Sequence, residues 1–240
     1  MHILVLGATS EIAKYFCYFY NNDAVLYLAA RREEQLAPLK NDLELKGSSR
    51  VELLHFDAGK PFELDEIKKI APAIDILLVA IGYLGEQERA ESDTQEMLNI
   101  IDINYRNLLP AINLVATEMK KRRSGTIVGI SSVAGERGRG SNFFYGSAKA
   151  AFTAYLRGLR NSLHHHNVHV VTVLPGFIDT KMTAHLDLPR PLTSSPKQVA
   201  ARIAKAIKRK ENIIYVLGIW RWIMLAIRMI PESIFKKMRL

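Results

Sequence analysis

Seven short apolar runs recur along the chain, and longer amphipathic segments separate most of them. The runs are HILVLG, AVLYLAA, RVELLHF, DILLVAIG, GTIVGISS, VHVVTVLP and NIIYVLG. Runs of this length predict strands buried on both faces, and the segments between them predict helices over residues 10–20, 33–46, 63–70, 93–121, 143–166 and 196–210. Because crossovers between parallel strands are right-handed, the pattern predicts an α/β fold: one doubly wound, mostly parallel sheet with helices on both faces.

Length and composition limit the other classes of protein. A chain of 240 residues without linkers or repeats suits one domain with a large core. The formal charge is +9, but the basic residues are spread along the chain and no nucleic-acid module is present, so no nucleic-acid partner is expected. Cys17 is the only cysteine, and the first strand pattern leaves no room for a signal peptide. We therefore expect a cytoplasmic protein.

The segment GATSEIA, residues 7–13, lies where the first strand passes into a helix. In a doubly wound sheet this turn binds phosphate, because helix amides and the helix dipole attract an anion while glycine allows close approach. Only Gly7 is a glycine here, although Ala8 and Ala13 are nearly as small. The Glu11 carboxylate would repel a pyrophosphate unless it points away and caps the helix. Taken alone, the segment leaves a phosphate site and a plain strand–helix junction equally open.

The ends of the second and third predicted strands add cofactor candidates. Strand AVLYLAA is followed by Arg31 and Arg32 rather than by the acid that binds the ribose of NAD. An arginine there suits a 2′-phosphate and favours NADP, and the alternative is a solvated helix start. Asp57, after the third strand, is a candidate acceptor for the adenine amine.

The segment FYGSAKAAFTAY carries the strongest chemical signal. Tyr145 and Lys149 are four residues apart on a predicted helix and therefore share a face. A free tyrosine has a pKa of about 10, and an ammonium one turn away is expected to lower that value toward neutrality. The helix follows GISSVAG, which places Ser131 and Ser132 at the same edge of the sheet.

Together these landmarks resemble the single-domain branch of the short-chain dehydrogenase/reductase family from Ile3 to about Tyr215. They follow in order: the glycine turn, Asp57, DILLVAIG, INYRN, ISSVAG, YGSAK and LPGFIDT. The resemblance implies a Rossmann-type domain over residues 1–217, with strand order 3-2-1-4-5-6-7. It also implies a homodimer or homotetramer that interconverts a secondary alcohol and a ketone with NADP(H), and with NAD(H) as the second option.

The resemblance also implies residue roles. Tyr145 is then the general acid–base, Lys149 binds the nicotinamide ribose and keeps the phenol pKa low, Ser132 binds the substrate oxygen, and Asn104 positions a water. The implied cofactor contacts are Gly7, Thr9, Ser10, Glu11, Ile12, Arg31, Asp57, Ala58, Ala80, Gly82, Tyr145, Lys149, Pro175, Gly176, Ile178 and Thr180. No metal site is expected. The chain departs from the family pattern where TGxxxGxG reads LGATSEIA and NNAG reads VAIG.

Residues 177–196 form a proline-rich segment of the length expected for a substrate lid, with a plain surface loop as the alternative. Met182, Leu186 and Leu188 predict apolar contact with a substrate. Lys181 and Arg190 are candidates to face an anionic group.

The tail, residues 218–240, reads GIWRWIMLAIRMIPESIFKKMRL and is expected to belong to the same domain. Arg221 and Arg228 argue against a membrane span. The tryptophans and the cations Lys236, Lys237 and Arg239 suit an interfacial helix, that is, peripheral contact with the inner face of a membrane. An oligomer interface and a cover for the substrate cleft are equally open. The tail, GATSEIA and LVAIGYLG also resemble reductases of decaprenylphosphoryl-2-keto-pentose, which implies a lipid-linked sugar substrate.

Two other kinds of function stay open at this point. The fold also supports a non-catalytic protein that binds NAD(P), and membrane or partner docking through the tail is a further option. The ordered set Asn104, Ser132, Tyr145 and Lys149 favours the enzyme.

Overall fold

The computed structural model describes residues 1–22, 24–48, 50–60, 64–184 and 187–238. Its strands are β1 (His2–Leu6), β2 (Val25–Ala30), β3 (Arg50–His55), β4 (Ile76–Val79), β5 (Gly125–Ile130), β6 (Val168–Leu174), β7 (Phe177–Ile178), β8 (Thr193–Ser194) and β9 (Ile213–Tyr215). Its helices are α1 (Glu11–Phe19), α2 (Ala37–Leu45), α3 (Asp65–Ile70), α4 (Gln87–Ser92), α5 (Thr94–Asn104), α6 (Leu109–Arg122), α7 (Phe143–Leu163), α8 (Pro196–Arg209), α9 (Ile219–Met229) and α10 (Glu232–Phe235).

The main sheet has seven strands in the order β3-β2-β1-β4-β5-β6-β9, and all neighbouring strands are parallel. This confirms the predicted order, with β9 as the seventh strand of the sheet. The chain moves outward from β1 to β3 on one side and from β4 to β9 on the other. The order therefore reverses between β1 and β4, where a ligand crevice is expected at the carboxyl ends of the strands.

Both faces of the sheet are covered by helices, as the continuous apolar strands predict. Ile3 and Val5 of β1 belong to a core shared with α1, α2 and α8. Leu4 and Leu6 point to the opposite face and share a second core with α3, α6 and α7. All four side chains are fully buried, because successive residues of a strand point to opposite faces.

The single helix predicted over residues 93–121 is wrong. The structure has α5 and α6 in its place, separated at Tyr105 and by a 3₁₀ turn over Arg106–Leu108. Pro110 accounts for the break, because inside one continuous helix it would lack the amide that bonds the Arg106 carbonyl, and its ring would clash with that carbonyl. Pro110 lies in the first turn of α6, where the missing amide does no harm.

Other differences are at the ends of elements. The helix predicted over residues 33–46 begins as a 3₁₀ turn, Glu33–Leu36, and α7 gives way to a 3₁₀ turn at His164–His166. The predicted start of α3 at Glu63 lies outside the described residues, and α3 is observed from Asp65. The short elements α4, β7 and β8 were not predicted, because six or two residues show no periodicity. Within the described ranges, no helix combines the length and apolar character needed to cross a membrane.

Candidate active site

A cavity of about 430 Å³ lies along the carboxyl ends of the strands, at the reversal of strand order. The structure places nearly all the predicted site residues around it. These are Gly7, Thr9, Ser10, Glu11, Ile12, Arg31, Asp57, Ala58, Ala80, Gly82, Ser132, Tyr145, Lys149, Pro175, Gly176, Ile178 and Thr180. Of the predicted set, Asn104 alone does not line the cavity.

The turn after β1 needs a glycine at its first position. Gly7 has φ +85°, and a Cβ on it would lie 2.7 Å from Ile81 Cγ1 and 3.0 Å from the Ala80 carbonyl. The Gly7 and Ala8 amides both donate to the Ala29 carbonyl at 3.0 Å, which holds the turn against the end of β2. The start of α1 is thereby fixed at the cavity wall, where helix amides favour an anion.

Glu11 occupies the first position of α1 and lines the cavity. The alternative in which it caps the helix is not supported, because its carboxylate has no hydrogen bond to the described residues. Ser10, the residue before it, also makes no capping bond through its side chain.

Arg31 and Asp57 line the part of the cavity that lies past β2 and β3. Arg31 is exposed and is the first residue after β2. The Asp57 Oδ1 atom accepts a hydrogen bond from the Gly59 amide at 2.9 Å, so the loop after β3 holds this carboxylate in place. Since β2 and β3 lie on one side of β1 and β5 lies on the other, the cavity spans the edge of the sheet.

Tyr145 and Lys149 lie in the first two turns of α7, on the side that faces the cavity. Lys149 is only 2% exposed, and its Nζ lies 5.7 Å from the centroid of the Tyr145 ring. That ammonium donates long hydrogen bonds to the carbonyls of Ile81, at 3.4 Å, and Ile130, at 3.3 Å. Two of its three donors are therefore directed at the ends of β4 and β5, and the third has no partner among the described residues.

The expectation that Lys149 lowers the pKa of Tyr145 is not met in the protein alone. Burial raises the pKa of the Tyr145 phenol to about 12, and a hydrogen bond from Ser132 opposes this rise. Burial also lowers the pKa of the Lys149 ammonium to about 7. Desolvation acts against both charged forms, and at neutral pH it leaves a protonated phenol beside a lysine that is only partly protonated.

The two adjacent serines after β5 have different partners. Ser132 Oγ accepts from the Ala134 amide at 3.1 Å, and its hydroxyl hydrogen remains available to the Tyr145 phenol or to an oxygen in the cavity. Ser131 is 2% exposed and donates from Oγ to the Lys149 carbonyl at 2.9 Å, with Thr153 Oγ1 at 2.7 Å. Ser131 therefore joins β5 to α7, and Ser132 is the one left to bind an oxygen in the cavity.

Asn104 is fully buried at the end of α5. Its Nδ2 atom donates to the carbonyls of Tyr83, at 2.6 Å, and Ile100, at 2.8 Å, while its Oδ1 atom accepts from the Tyr83 amide at 3.1 Å. The side chain thus holds the backbone that follows β4. Its role in positioning a water stays a prediction.

Sequence reasoning missed several side chains that line the cavity, among them Phe56, Ile81, Tyr83 and Ile103. Tyr83 is fixed at both ends: Asn104 holds its backbone, and its hydroxyl donates to Glu96 Oε1 at 2.7 Å. Glu96 is a buried carboxylate that also accepts from the Glu86 amide. The signal was available, because Tyr83 directly follows Gly82 in the segment LVAIGYLG.

The predicted lid is only partly represented at the cavity. Lys181 and Met182 line it, whereas Leu188 and Arg190 do not. The predicted contact of Leu186 lies outside the described residues. No group of three or more metal-ligating side chains is found in the part of the chain that the structure describes.

A sequence model of the family described as short chain dehydrogenase matches residues 1–190. The chain belongs to the short-chain dehydrogenase family. The chain is 30% identical to an uncharacterised oxidoreductase of Mycobacterium tuberculosis H37Rv, in an alignment that covers 98% of this chain and 96% of the relative. It is 31% identical to an uncharacterised oxidoreductase of Streptomyces coelicolor, in an alignment that covers 98% of this chain and 95% of the relative.

Solved structures of short-chain dehydrogenases show the same fold. A short-chain dehydrogenase from Sphingobium yanoikuyae in complex with NADPH has a TM-score of 0.83 at 22% identity, covering 99% of this chain and 96% of that one. A short-chain dehydrogenase from Burkholderia cenocepacia in complex with NADP has a TM-score of 0.80 at 20% identity, covering 95% of this chain and 92% of that one. The bulky-bulky ketone specific alcohol dehydrogenase from Comamonas testosteroni has a TM-score of 0.82 at 20% identity, covering 99% of this chain and 94% of that one.

Proposed function

We propose that this short-chain dehydrogenase interconverts a secondary alcohol and a ketone with NADP(H), using Tyr145 as general acid–base. The observation that carries the proposal is the grouping of Ser132, Tyr145 and Lys149 on one wall of a cavity that also contains the start of α1. A proton donor, an oxygen-binding hydroxyl and an anion-binding helix end then serve one reaction.

In the direction of ketone reduction, Tyr145 donates its phenolic proton to the carbonyl oxygen. A phenol with a pKa of about 12 is protonated at neutral pH and suits this role. Ser132 donates its remaining hydroxyl hydrogen to the same oxygen and holds the carbonyl in place. Lys149 stabilises the tyrosinate that is left, because the ammonium favours the charged phenolate next to it.

The residues around the cavity fit a nicotinamide dinucleotide. The amides at the start of α1 and the Arg31 guanidinium would hold phosphate, and the unpartnered donor of Lys149 would hold a ribose hydroxyl. Gly82 lines the same cavity next to Lys149. When bound, the nicotinamide supplies or accepts the hydride.

A preference for NADP(H) over NAD(H) is supported by Arg31. It follows β2 where NAD-binding members of this fold carry an acid, and a guanidinium there binds a 2′-phosphate. The Sphingobium and Burkholderia structures contain NADPH and NADP respectively.

Arg31→Ala is expected to weaken NADPH binding by about tenfold or more, because a charge-assisted bond to phosphate is lost, and to leave NADH binding nearly unchanged. Dissociation constants from fluorescence titration of both cofactors measure the difference. Arg32→Ala is the matched control, since the neighbouring arginine is also exposed but does not line the cavity. Equal weakening of NADPH and NADH binding in Arg31→Ala would contradict the preference.

The side chains near Tyr145 support a lipophilic substrate with an anionic part. Tyr83, Ile103 and Met182 give the wall an apolar character, and Lys181 adds a cation. A lipid-linked sugar, such as a polyprenyl phosphate sugar, combines these properties. The Comamonas neighbour, a bulky-bulky ketone specific enzyme, is a precedent for large ketones on this fold.

The outward side of the tail supports peripheral contact with the inner face of a membrane. Ile219, Trp222 and Met229 of α9 are 52%, 66% and 74% exposed, and Lys236 and Lys237 are exposed beyond α10. Apolar side chains flanked by cations are typical of helices that lie in the interface of an anionic bilayer. The predicted contribution of Arg239 lies outside the described residues.

Trp222→Ser is expected to reduce co-sedimentation with phosphatidylglycerol vesicles several-fold, because it removes an exposed aromatic anchor. The same assay with vesicles of phosphatidylcholine, which has no net charge, measures how much of the binding depends on attraction between the basic tail and the anionic lipid. Leu45→Ser, at an 88% exposed apolar residue at the end of α2, is the control for a general loss of surface hydrophobicity. Equal behaviour of the two variants would count against a membrane role for the tail.

A further inference from the structure

Trp220, in the first turn of α9, is only 4% exposed and packs on the turn that follows β6. A Cβ on Gly176 would lie 1.9 Å from Trp220 Cε2, so the indole covers this glycine directly and excludes any larger residue. The Phe177 ring meets the indole edge to face, with centroids 5.3 Å apart. One side of the indole therefore rests on the segment that enters the lid.

The same indole also contacts the segment that leaves the lid. Trp220 Nε1 donates to the Leu192 carbonyl at 3.1 Å. Leu192 ends the 3₁₀ turn that precedes β8. A single side chain thus joins the two ends of the loop, residues 179–192, whose early part supplies Lys181 and Met182 to the cavity.

Among the described residues, a short backbone ladder also closes the base of the loop. The two-residue strands β7 and β8 pair in parallel, and the Asp179 amide donates to the Ser194 carbonyl at 3.0 Å. A ladder this short is weak by itself, because few hydrogen bonds offset the backbone entropy lost on closing the loop. The tryptophan adds a buried ring and an additional hydrogen bond at this point.

Helix α9 is itself fixed to the loop that follows Ser132. Arg137 Nη1 donates to the carbonyls of Ile227, Arg228 and Ile230 at 3.1, 3.0 and 2.8 Å, at the C-terminal end of the helix. Its Nη2 atom reaches Glu232 at 2.9 Å, and its guanidinium lies 4.0 Å from the centroid of the Phe235 ring. A cation is favourable at this end of a helix, so α9 is held at both ends.

We infer that Trp220 is a positioning residue: it holds the Gly176 turn and the two ends of the 179–192 loop together and so sets the wall formed by Lys181 and Met182. The tail then contributes to the cleft through its inner side, whatever its outer side contacts. These contacts do not depend on the proposed function. Only the assignment of the cavity as a substrate and nicotinamide site rests on it.

Trp220→Phe is expected to speed hydrogen–deuterium exchange at the Asp179 amide by about tenfold, because the bond to Leu192 is lost while a ring stays on Gly176. Trp220→Ala is expected to increase that exchange further, since the packing is lost as well. Trp222→Phe is the matched control: Trp222 lies on the same helix but is 66% exposed, so lid exchange should be unchanged. All measurements use the full chain without cofactor.

Equal exchange at Asp179 in Trp220→Phe and Trp222→Phe, with both variants folded by circular dichroism, would overturn the inference.

A second measurement separates this inference from the proposed function. The chain has two tryptophans, so Trp222→Phe leaves Trp220 as the sole one, and its emission is expected to be quenched by NADPH. If NADPH does not quench the emission but exchange at Asp179 still depends on Trp220, the proposed NADPH binding is contradicted and the positioning role of Trp220 is kept. Quenching by NADPH, together with exchange at Asp179 that is unchanged in Trp220→Phe, would support cofactor binding and overturn the positioning role of Trp220.

Discussion

Tyr145→Phe is expected to lower kcat for ketone reduction by about 10²–10⁴-fold and to leave the Kd for NADPH nearly unchanged. The phenylalanine ring keeps the packing beside Lys149 but has no proton to give to the carbonyl oxygen. Stopped-flow or steady-state oxidation of NADPH across a panel of bulky aromatic and aliphatic ketones gives kcat, and fluorescence titration gives the Kd.

Tyr155→Phe is the matched control. Tyr155 lies on the same helix, and its hydroxyl donates to Asn113 Oδ1 at 2.9 Å, away from the cavity. This variant should retain the kcat of the unaltered protein. Undiminished turnover in Tyr145→Phe would remove Tyr145 from the chemistry. Tight NADPH binding by the unaltered protein, without oxidation by any ketone of the panel, would instead favour a non-catalytic nucleotide-binding role.

Lys149→Met is expected to abolish most activity and yet to stabilise the fold near neutral pH. Activity is expected to fall because, in the proposed mechanism, the Lys149 ammonium stabilises the tyrosinate and would bind the ribose. Stability rises because burial of the ammonium is unfavourable: its pKa falls to about 7 in the folded protein from 10.5. The gain in free energy of unfolding is about 4 kcal/mol at pH 7 when the shift is converted at about 1.4 kcal/mol per pKa unit.

The sign of the pH dependence follows from proton counting. Between pH 7 and 10.5 the unfolded chain keeps a proton on Lys149 that the folded chain has released. The unaltered protein therefore gains stability as the pH rises through this window, and Lys149→Met does not. Urea unfolding at pH 7, 8 and 9 should show the difference between the two proteins narrowing as the pH increases.

Lys208→Met is the control for the loss of a lysine, because Lys208 is exposed on α8. Its free energy of unfolding at pH 7 should be close to that of the unaltered protein. A difference between Lys149→Met and the unaltered protein that stays constant from pH 7 to 9 would show that burial of the Lys149 ammonium does not govern its titration.

Much of the frame of the site was predictable from the sequence. Continuous apolar strands cannot fold except with both faces covered, and parallel strands bring their carboxyl ends to one edge. These two constraints already bring Gly7, Arg31, Asp57 and Ser132 to the edge where the structure has its cavity. The spacing of Tyr145 and Lys149 similarly places them on one side of α7.

Pro110, which accounts for the helix break just before it, was also visible in the sequence, although the amphipathic pattern on both sides predicted a single helix. Local chemistry prevailed there over periodicity. The cavity residue Tyr83 directly follows the predicted contact Gly82, but the direction of its side chain depends on Asn104 and on the buried Glu96, which come from another element.

The sequence by itself thus determined the parallel sheet covered on both faces and the edge that carries the site, because both depend on short-range patterns and the handedness of the chain, whereas the order of the strands followed from the family resemblance. Only the tertiary structure decided the environment of the reacting groups. Burial outweighs the nearby ammonium in setting the pKa of Tyr145, Asn104 holds backbone, and Trp220 of the tail covers Gly176. Desolvation and close packing depend on every neighbour in space, and those neighbours come from segments far apart in the chain.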